Sequence, residues 1–306
     1  MKILIILASF NGVKYIKQQI DSILSQEGVN IDIKIFDDGS SDGTVELISS
    51  LYSSERIQII QNEIPTGSSA NNFFQALQQI EEIYFEKYNY IAFADQDDIW
   101  LPNKLKEAVV ILDTQEADLY MSNLILWQEK SNRKSIVNKS FSQKKYDYLF
   151  EGGSAGCTYV LSAKFVSKLK EIIKNTDNLY WKYFSHDWFI YFVARTNNFK
   201  VTIDNRAFIL YRIHETNIHG QLNILSIFAI KERLKLVANG WYYHHAKGFI
   251  NFLPLNSKEI KIYKWYTKNY FTRLYVLFRY NFSLIRSTKK AFQFFLVSLI
   301  PLKNNN

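Results

Sequence analysis

The feature that most constrains the fold is a regular alternation of strand-like and helix-like segments before residue 95. In the strand-like segment 2–8, every residue after Lys2 is apolar, which is typical of a strand buried on both faces of a parallel sheet. Further strand-like segments lie at 31–35, 57–60 and 90–94. Apolar residues recur at helical spacing over 13–24, 45–52 and 73–84. This alternation predicts an α/β fold with a mostly parallel sheet flanked by helices.

The pattern is less regular after about Asn123. Residues 152–161 are typical of a glycine-rich loop that enters a strand, and residues 200–211 indicate one or two short strands. Helical spacing returns over 163–174 and 185–195, and basic, aromatic helices are expected from about residue 221 onward.

Composition excludes several classes of protein. Of 306 residues, 47% are apolar and 22% charged, which excludes an intrinsically disordered chain. A single cysteine, Cys157, excludes an intramolecular disulfide and a cysteine-rich zinc site. The net charge of +8 is uneven, because residues 221–306 carry 14 Lys or Arg and only 2 Asp or Glu. An acidic-leaning body with a basic tail indicates two roles for the chain.

Neither end of the sequence predicts a membrane-spanning segment. The apolar start resembles a signal peptide, but it lacks a cleavage pattern and is better interpreted as a buried first strand. The apolar stretch Ala291–Leu302 has 12 residues, whereas a spanning helix needs about 20. We therefore expect a cytoplasmic protein, with peripheral contact to the inner face of the cell membrane as a further expectation.

Carboxylates and small polar residues follow three of the predicted strands. The first strand leads into Ser9-Phe10-Asn11, the second into DDGSSDGT at 37–44, and the fourth into DQDD at 95–98. These loops are expected side by side at one edge of the sheet, where α/β folds bind ligands. Clustered carboxylates favour a hard divalent cation, Mg²⁺ or Mn²⁺, that bridges substrate phosphates. For either acidic loop alone, ordinary turn chemistry explains the residues equally well.

Several ordered blocks within residues 1–220 carry a family resemblance: ASFNG, DDGSSDGT, ADQDDIWLPNKL, GGSAGCTYVLS, SHDW and YRIHETNIHG. The chain resembles an inverting glycosyltransferase of family 2 with the GT-A fold, particularly the rhamnosyltransferase-like members that build bacterial surface polysaccharides such as capsule and cell wall. The resemblance implies a nucleotide-sugar donor carrying UDP or dTDP. It also implies a saccharide acceptor, with a lipid-linked acceptor as one form.

The resemblance also implies a division of the chain. Residues 1–220 would form the GT-A catalytic domain, with a nucleotide-binding half at 1–123 and an acceptor half at 124–220. Residues 221–306 would form a basic, aromatic, helical extension.

Four residues match family positions that bind the nucleotide. The resemblance implies that Ser9 and Phe10 lie against a pyrimidine base, with Phe10 offering an apolar face for stacking. An ordinary core role is the alternative for Phe10. Asp38 matches the position that hydrogen-bonds the base, and Asp95 matches the carboxylate that contacts the ribose. The neighbouring Asp37 is then left to hold the loop.

The implied metal ligands are Asp97 and His214, with Mn²⁺ or Mg²⁺ as the cofactor. A bound metal would neutralise charge on the leaving diphosphate. Arg212 is expected to contact phosphate, and a purely structural role is the alternative for His214. Asp98 is expected either to face the donor sugar or to cap the helix that begins near Pro102.

Asp187 in the block SHDW matches the family's general base. Inverting transfer needs one group to remove the proton of the acceptor hydroxyl, and one positioned carboxylate suffices. Many relatives have Glu before this Asp, whereas His186 occupies the position here. The alternative is that Asp187 serves only as a negative charge at a helix N-terminus.

The basic tail contains a predicted amphipathic helix over 257–271, in which Lys258, Lys261, Lys264 and Lys268 form a basic stripe. A solvated face over ordinary core, docking on an anionic membrane surface and contact with a partner protein all remain open for it. No nucleic-acid partner is expected, because no recognised nucleic-acid-binding module is present.

Two other functions compete with the glycosyltransferase hypothesis. A sugar nucleotidyltransferase would need a glycine-rich, basic phosphate loop near residue 10, and Asn11-Gly12-Val13-Lys14 suits that poorly. A non-catalytic membrane-surface or polysaccharide-binding protein with a GT-A fold would tolerate replacement of Asp97 and Asp187.

Overall fold

A nine-stranded sheet lies at the centre of the computed structural model, which describes residues 1–53, 55–174, 184–213 and 234–300. Its strands are β1 (Lys2–Ser9), β2 (Asn30–Asp37), β3 (Ile57–Gln61), β4 (Tyr90–Asp95), β5 (Ile99–Trp100), β6 (Leu119–Gln128), β7 (Arg133–Val137), β8 (Val160–Ser162) and β9 (Val201–Arg212). The spatial order is β3-β2-β1-β4-β8-β6-β9-β5, and β7 pairs with β6.

The first four strands form the predicted parallel half of the sheet. Strand β1 pairs in parallel with β2 and β4, and β2 pairs in parallel with β3. Strand β8 then runs antiparallel to both β4 and β6. The mostly parallel, helix-flanked α/β fold expected from the alternating pattern is therefore confirmed.

Strand β1 is buried on both faces, as its continuous apolar sequence predicts. Ile3, Ile5 and Leu7 pack into one hydrophobic core, and Leu4 and Ile6 pack into the other. Successive side chains of a strand point to opposite faces of the sheet, so an unbroken apolar run satisfies two cores at once.

Seven helices pack around the sheet within the described part of residues 1–213: α1 (Ile16–Leu24), α2 (Thr44–Leu51), α3 (Ser69–Gln79), α4 (Ile83–Lys87), α5 (Lys104–Thr114), α6 (Ala163–Lys174) and α7 (His186–Thr196). The segment 73–84, predicted as one helix, is divided between α3 and α4. Ser68 caps the N-terminus of helix α3, and its hydroxyl accepts from the Asn71 backbone N–H. Ile80 follows the last helical residue and has an extended backbone. The helical spacing of apolar residues continues from α3 into α4 because Ile80 and Tyr84 both pack on the same hydrophobic core.

The predicted helical C-terminal extension is present as α8 (Trp241–Phe249), α9 (Lys258–Lys268), α10 (Tyr270–Leu284) and α11 (Thr288–Ser298). The predicted helix over 257–271 is divided at Asn269, which caps α10 through a reciprocal pair of hydrogen bonds with Thr272. Lys258, Lys261, Lys264 and Lys268 are exposed on α9, as expected.

The extension and the sheet share one hydrophobic core. Phe249, Tyr263 and Phe294 of the extension belong to the same buried cluster as Leu4 of β1. The predicted boundary at 220/221 lies outside the described residues, and the division into domains stays a prediction. No helix within the described ranges combines the length and the apolar character that crossing a membrane requires.

Candidate active site

The strand register brings the three polar loops to one edge of the sheet. Ser9 at the end of β1 pairs with Asp37 at the end of β2. The preceding residue, Ala8, pairs with Asp95 at the end of β4. The sequence prediction that these loops lie side by side is confirmed.

The loop after β2 is organised by Asp37. Its buried carboxylate accepts from the Ser9 hydroxyl at 2.7 Å and from the Ser40 backbone N–H and hydroxyl at 2.8 and 2.6 Å. Asp37 therefore joins the first two loops, and the Ser9 hydroxyl points inward to this carboxylate. Ser9 can line a nucleotide site through its backbone, while its hydroxyl supports the loop.

Phe10 projects from a fixed backbone with 53% of its surface exposed. The Gln96 side chain accepts from the Phe10 N–H at 2.8 Å and donates to the Phe10 carbonyl at 2.9 Å. A Cβ atom on Gly12 would lie 2.2 Å from Oε1 of Gln96, so this close approach requires glycine. An exposed ring on a doubly bonded backbone suits stacking on a flat ligand.

Asp38 is buried and accepts four hydrogen bonds. The donors are the Asn62 amide at 2.9 Å, the Thr66 N–H at 2.7 Å, the Thr66 hydroxyl at 3.0 Å and the Gly67 N–H at 3.0 Å. A carboxylate offers about four lone-pair sites. Recognition of a base by Asp38 therefore requires one of these donors to leave.

Asp95, Asp97 and Asp187 form the electrostatic centre of the site. Burial, reinforced by the negative charges of Asp97 and Asp187, raises the pKa of Asp95 to about 7. Asp187 comes from the first turn of α7, distant in sequence from the loop after β4. The fold therefore brings Asp187 close enough to Asp95 for its charge to raise that pKa.

The carboxylate of Asp187 is oriented by its own helix end. Its Oδ1 accepts from the Trp188 backbone N–H at 2.8 Å and from the Ser185 hydroxyl. The Asp187 carbonyl accepts from the Tyr159 hydroxyl at 3.1 Å. These contacts fix both the helix start and the carboxylate that it carries.

The acidic loop offers carboxylate oxygens, the ligands that a hard divalent cation prefers. Asp95, Asp98 and Cys157 each place a ligand atom within 4.8 Å of the others. Burial and the charge of Asp98 raise the pKa of the Cys157 thiol, so the thiol stays protonated and the carboxylates remain as ligands. Like charges this close are costly unless a cation compensates them. The carboxylates of this loop therefore fit Mg²⁺ or Mn²⁺, and the assignment of Asp97 as a ligand stays a prediction.

Comparison with known proteins identifies the family. Residues 4–173 match the family described as Glycosyl transferase family 2. This chain belongs to glycosyl transferase family 2. It is 38% identical over 253 residues to the dTDP-rhamnosyl transferase RfbG of Shigella flexneri, covering 82% of this chain and 86% of that protein.

Another relative is the Escherichia coli UDP-Glc:alpha-D-GlcNAc-diphosphoundecaprenol beta-1,3-glucosyltransferase WfgD. It is 30% identical over 160 residues, which are 51% of this chain and 58% of that protein. Solved structures show the same fold. Staphylococcus aureus TarS 1–349 in complex with UDP-GlcNAc has a TM-score of 0.56 and 14% identity, covering 98% of this chain and 88% of that chain. This family 2 member is thus a glycosyltransferase with the GT-A fold.

Arg212, the predicted phosphate contact, is tied into the protein by several side-chain interactions. In this family 2 glycosyltransferase its side chain is fully buried, and Nε donates to the Asp97 carbonyl at 2.9 Å. The guanidinium also bonds to Gln18 at 2.5 Å and to Glu129, and it lies over the rings of Tyr15 and Trp127. Arg212 therefore positions the Asp97 loop, and its contact with phosphate stays a prediction.

The prediction that Asp98 caps the helix near Pro102 is wrong, and contact of Asp98 with the donor sugar stays a prediction. The side chain is completely buried and faces Cys157, and the N-cap of α5 is Asn103. Burial, with the charges of Asp97 and Asp95, raises the pKa of Asp98. Asp98 directly follows Asp97 in this loop, and its side chain is directed into the protein interior. His214, the predicted second metal ligand, lies outside the described residues.

Sequence reasoning missed three residues around this centre. Gln96 lies inside the DQDD loop and was signalled only by its position between carboxylates. Tyr211 precedes Arg212, and burial together with Asp95 and Asp98 raises its pKa, so its phenol stays protonated. Lys104 is buried with Nζ 3.5 Å from the Trp100 ring centroid, and burial lowers its pKa to about 7. In the sequence, Lys104 is indistinguishable from a solvated helix lysine.

Proposed function

We propose that this glycosyltransferase moves rhamnose from dTDP-rhamnose to a growing cell-surface polysaccharide with inversion at the anomeric carbon, and that Asp187 is its general base. The mechanism is supported by the charge of Asp187, which helps to raise the pKa of Asp95 and therefore acts on the loop after β4. The donor assignment is supported by the 38% identity to a dTDP-rhamnosyl transferase. UDP-sugars are the competing donors.

In the proposed reaction, one carboxylate oxygen of Asp187 accepts the proton of the acceptor hydroxyl. The hydroxyl oxygen attacks the anomeric carbon as the bond from that carbon to the nucleoside diphosphate breaks. Hydrogen bonds to Oδ1 of Asp187 hold the carboxylate in place for this step. A metal ion held by Asp97, with His214 as a further proposed ligand, would neutralise charge on the departing diphosphate.

The nucleotide would bind between the first two loops. Phe10 would stack on the pyrimidine base, Ser9 would support it, and Asp95 would contact the ribose. For Asp38 to accept the N–H of thymine or uracil, the Thr66 hydroxyl is the donor that leaves most easily. That hydroxyl already has a second acceptor, the Ser68 carbonyl at 3.2 Å.

We propose a lipid-linked acceptor for this polysaccharide. The relative whose name includes a diphosphoundecaprenol-linked sugar supports this assignment. Such an acceptor would place the enzyme at the cytoplasmic face of the membrane.

A thermal-shift panel tests the donor site. It combines Mn²⁺, Mg²⁺ or chelator with dTDP, UDP and GDP, and a ligand at 100 times its dissociation constant stabilises a protein by about 2.7 kcal/mol. We expect metal-dependent stabilisation by dTDP that is lost in Asp97→Ala. Release of dTDP from dTDP-rhamnose, compared with release of UDP from UDP-hexoses, then identifies the donor. A folded protein that responds to no metal–nucleotide pair contradicts the proposal.

A further inference from the structure

The outer face of α10 carries a stripe of exposed aromatic side chains. Phe271, Tyr275, Phe278 and Phe282 recur at helical spacing and are 78%, 51%, 75% and 67% exposed. The opposite face of α10 is buried against the body of the protein through residues such as Val276 and Leu277. A helix that is apolar on both faces is normally covered on both.

Helix α11 extends this exposed surface. Phe292 is 63% exposed and Leu296 is 47% exposed, one turn further along. The rings of Phe278 on α10 and Phe295 on α11 are 5.2 Å apart, which joins the two helices at this surface. We refer to Phe271, Tyr275, Phe278, Phe282, Phe292 and Leu296 as the aromatic face. Contiguous apolar patches of this kind mark interaction surfaces.

The segment that carries the aromatic face is strongly basic. Residues 234–300 contain 11 Lys or Arg and a single acidic residue, Glu259. The Glu259 carboxylate accepts from the Tyr148 hydroxyl at 3.0 Å and is thereby directed toward the body of the protein. Lys268, Arg279 and Lys289 are exposed and lie beside or between the aromatic positions in sequence. The surface thus combines exposed rings with exposed Lys and Arg side chains.

We propose that the aromatic face docks on the surface of an anionic phospholipid bilayer. Aromatic side chains favour the boundary between headgroups and acyl chains, and neighbouring Lys and Arg are attracted to anionic headgroups. A second copy of this chain is a poorer partner, because facing copies would bring two strongly basic surfaces together.

The docked face is tied to the active site by a buried arginine. Arg286, between α10 and α11, donates from Nη2 to the carbonyls of Gly152 and Gly153 at 2.8 and 2.6 Å. A Cβ on Gly152 would lie 3.2 Å from Cα of Trp188, so this glycine packs directly on the start of α7. Docking of the aromatic face therefore fixes the start of α7, and Asp187 with it, relative to the bilayer.

Sedimentation of the full-length protein with vesicles tests this proposal. The vesicles contain phosphatidylcholine alone or phosphatidylcholine with 30% phosphatidylglycerol, a composition about as anionic as the proposed target requires. We expect binding to the anionic vesicles that weakens with salt. The double substitution Phe278→Ser with Phe282→Ser should lower partitioning at least about tenfold. Arg279→Glu removes one cation and adds one anion, and each charge is worth about fivefold.

Matched controls change exposed residues on the body of the protein. Ile136→Ser removes an apolar side chain that is 70% exposed on β7, and Lys134→Glu reverses an exposed charge on the same strand. Neither should change vesicle binding. Equal loss in the controls, or binding that ignores phosphatidylglycerol, overturns the proposal.

The particle mass without vesicles distinguishes the other occupants. The parent protein could have a mass above that of one chain, and the Phe278→Ser, Phe282→Ser variant the mass of a monomer. If the parent protein then binds no vesicles, the aromatic face serves self-association and the proposal is overturned. A monomer that ignores both vesicle types also overturns it. Vesicle binding needs no donor or acceptor, so its outcome is independent of the test of sugar transfer.

Discussion

The imidazole of His245 stacks on the indole of Trp188, with ring centroids 4.3 Å apart and planes 17° from parallel. Trp188 directly follows the proposed base Asp187, and its indole N–H donates to the Tyr148 carbonyl at 2.8 Å. The Nδ1–H of His245 is within hydrogen-bond distance of the Trp241 carbonyl, at 2.9 Å. The C-terminal extension thus supports the residue next to the base, and the catalytic body depends on it.

Burial of His245 makes the stability of the protein sensitive to acid. Burial lowers the pKa of His245 to about 4, against an ordinary value of 6.5. Between these values the unfolded chain binds a proton that the folded protein does not, so stability is complete above pH 6.5 and falls as the pH decreases toward 4. The loss is about 3 kcal/mol over this window. Urea unfolding between pH 7.5 and 4.5 measures it.

The variant His245→Phe keeps an aromatic ring on Trp188 and removes the titrating group. We expect its unfolding free energy to be less dependent on pH than that of the parent, while other titrating groups contribute equally to both proteins. Identical pH dependence in the two proteins contradicts the assignment to His245.

The charge of Asp95 should lower the stability of the folded protein. Its raised pKa of about 7 means that the folded protein binds this proton more tightly than the unfolded chain, so stability falls as the pH rises from about 4 to about 7. Asp95→Asn removes that charge at nearly constant size. We expect a higher melting temperature than the parent without metal, with a larger gain at pH 8 than at pH 5.

The same Asp95→Asn variant should lose metal-dependent stabilisation by dTDP. Asp21→Asn, on the exposed surface of α1, is the matched control and should show neither effect. An Asp95→Asn protein that is less stable than the parent at pH 8 would mean that the charge repulsion is already compensated.

The clamp between Gln96 and Phe10 should set nucleotide affinity. Gln96→Ala removes two hydrogen bonds to the Phe10 backbone, and Gly12→Ala places a methyl group where Oε1 of Gln96 lies. Each change should raise the Kd for dTDP about tenfold, because a loosened Phe10 stacks less well. Calorimetric titration of each variant measures this.

The double variant Gly12→Ala, Gln96→Ala makes this prediction specific. Both substitutions act on one contact, so the double variant should bind dTDP about as well as Gln96→Ala alone. Losses that simply add would show that Gly12 and Gln96 act independently.

Local sequence signals predicted the half of the fold that positions the donor loops. Apolar runs and turn residues are local properties, and they located β1, β2, β3 and β4 together with the loops between them. Strand β6 was missed because only its first part is buried and its second part carries mixed residues such as Trp127 and Gln128. Because burial changes along this strand, its apolar residues do not recur at one constant spacing, and a sequence pattern cannot reveal the strand.

The roles of Arg212, Arg286 and His245 were beyond sequence reasoning for a different reason. Each is one polar residue whose partners are distant in the chain, and burial of a cation depends on those partners. Arg286 stands in a basic stretch of the sequence, yet its side chain is 1% exposed and contacts Glu151 and Asp147. Composition identifies the basic tail but does not distinguish its buried Arg side chains from its exposed Lys and Arg side chains.

Arg286 should be necessary for the extension to hold the glycine loop. Arg286→Ala leaves the buried carboxylate of Asp147 with Arg195 as its remaining ion pair and frees the carbonyls of Gly152 and Gly153. Removing one partner of a buried ionic network typically costs about 3–5 kcal/mol. Urea unfolding should show that loss, whereas Arg279→Ala on the exposed face of α10 should leave stability within about 0.5 kcal/mol of the parent.

The base assignment makes the sharpest kinetic prediction. Asp187→Asn retains an oxygen that can accept from the Trp188 N–H, so the start of α7 should persist, but the amide cannot take a proton from the acceptor. We expect kcat to fall by about 10²–10⁴, with the Kd for dTDP changed by less than about twofold, since the nucleotide loops are untouched. Steady-state transfer from dTDP-rhamnose and calorimetric titration of dTDP give the two quantities, with Asp21→Asn as the control. Parallel loss of kcat and nucleotide affinity would assign Asp187 a structural role, because a residue that only removes the acceptor proton contributes nothing to binding of the product nucleotide.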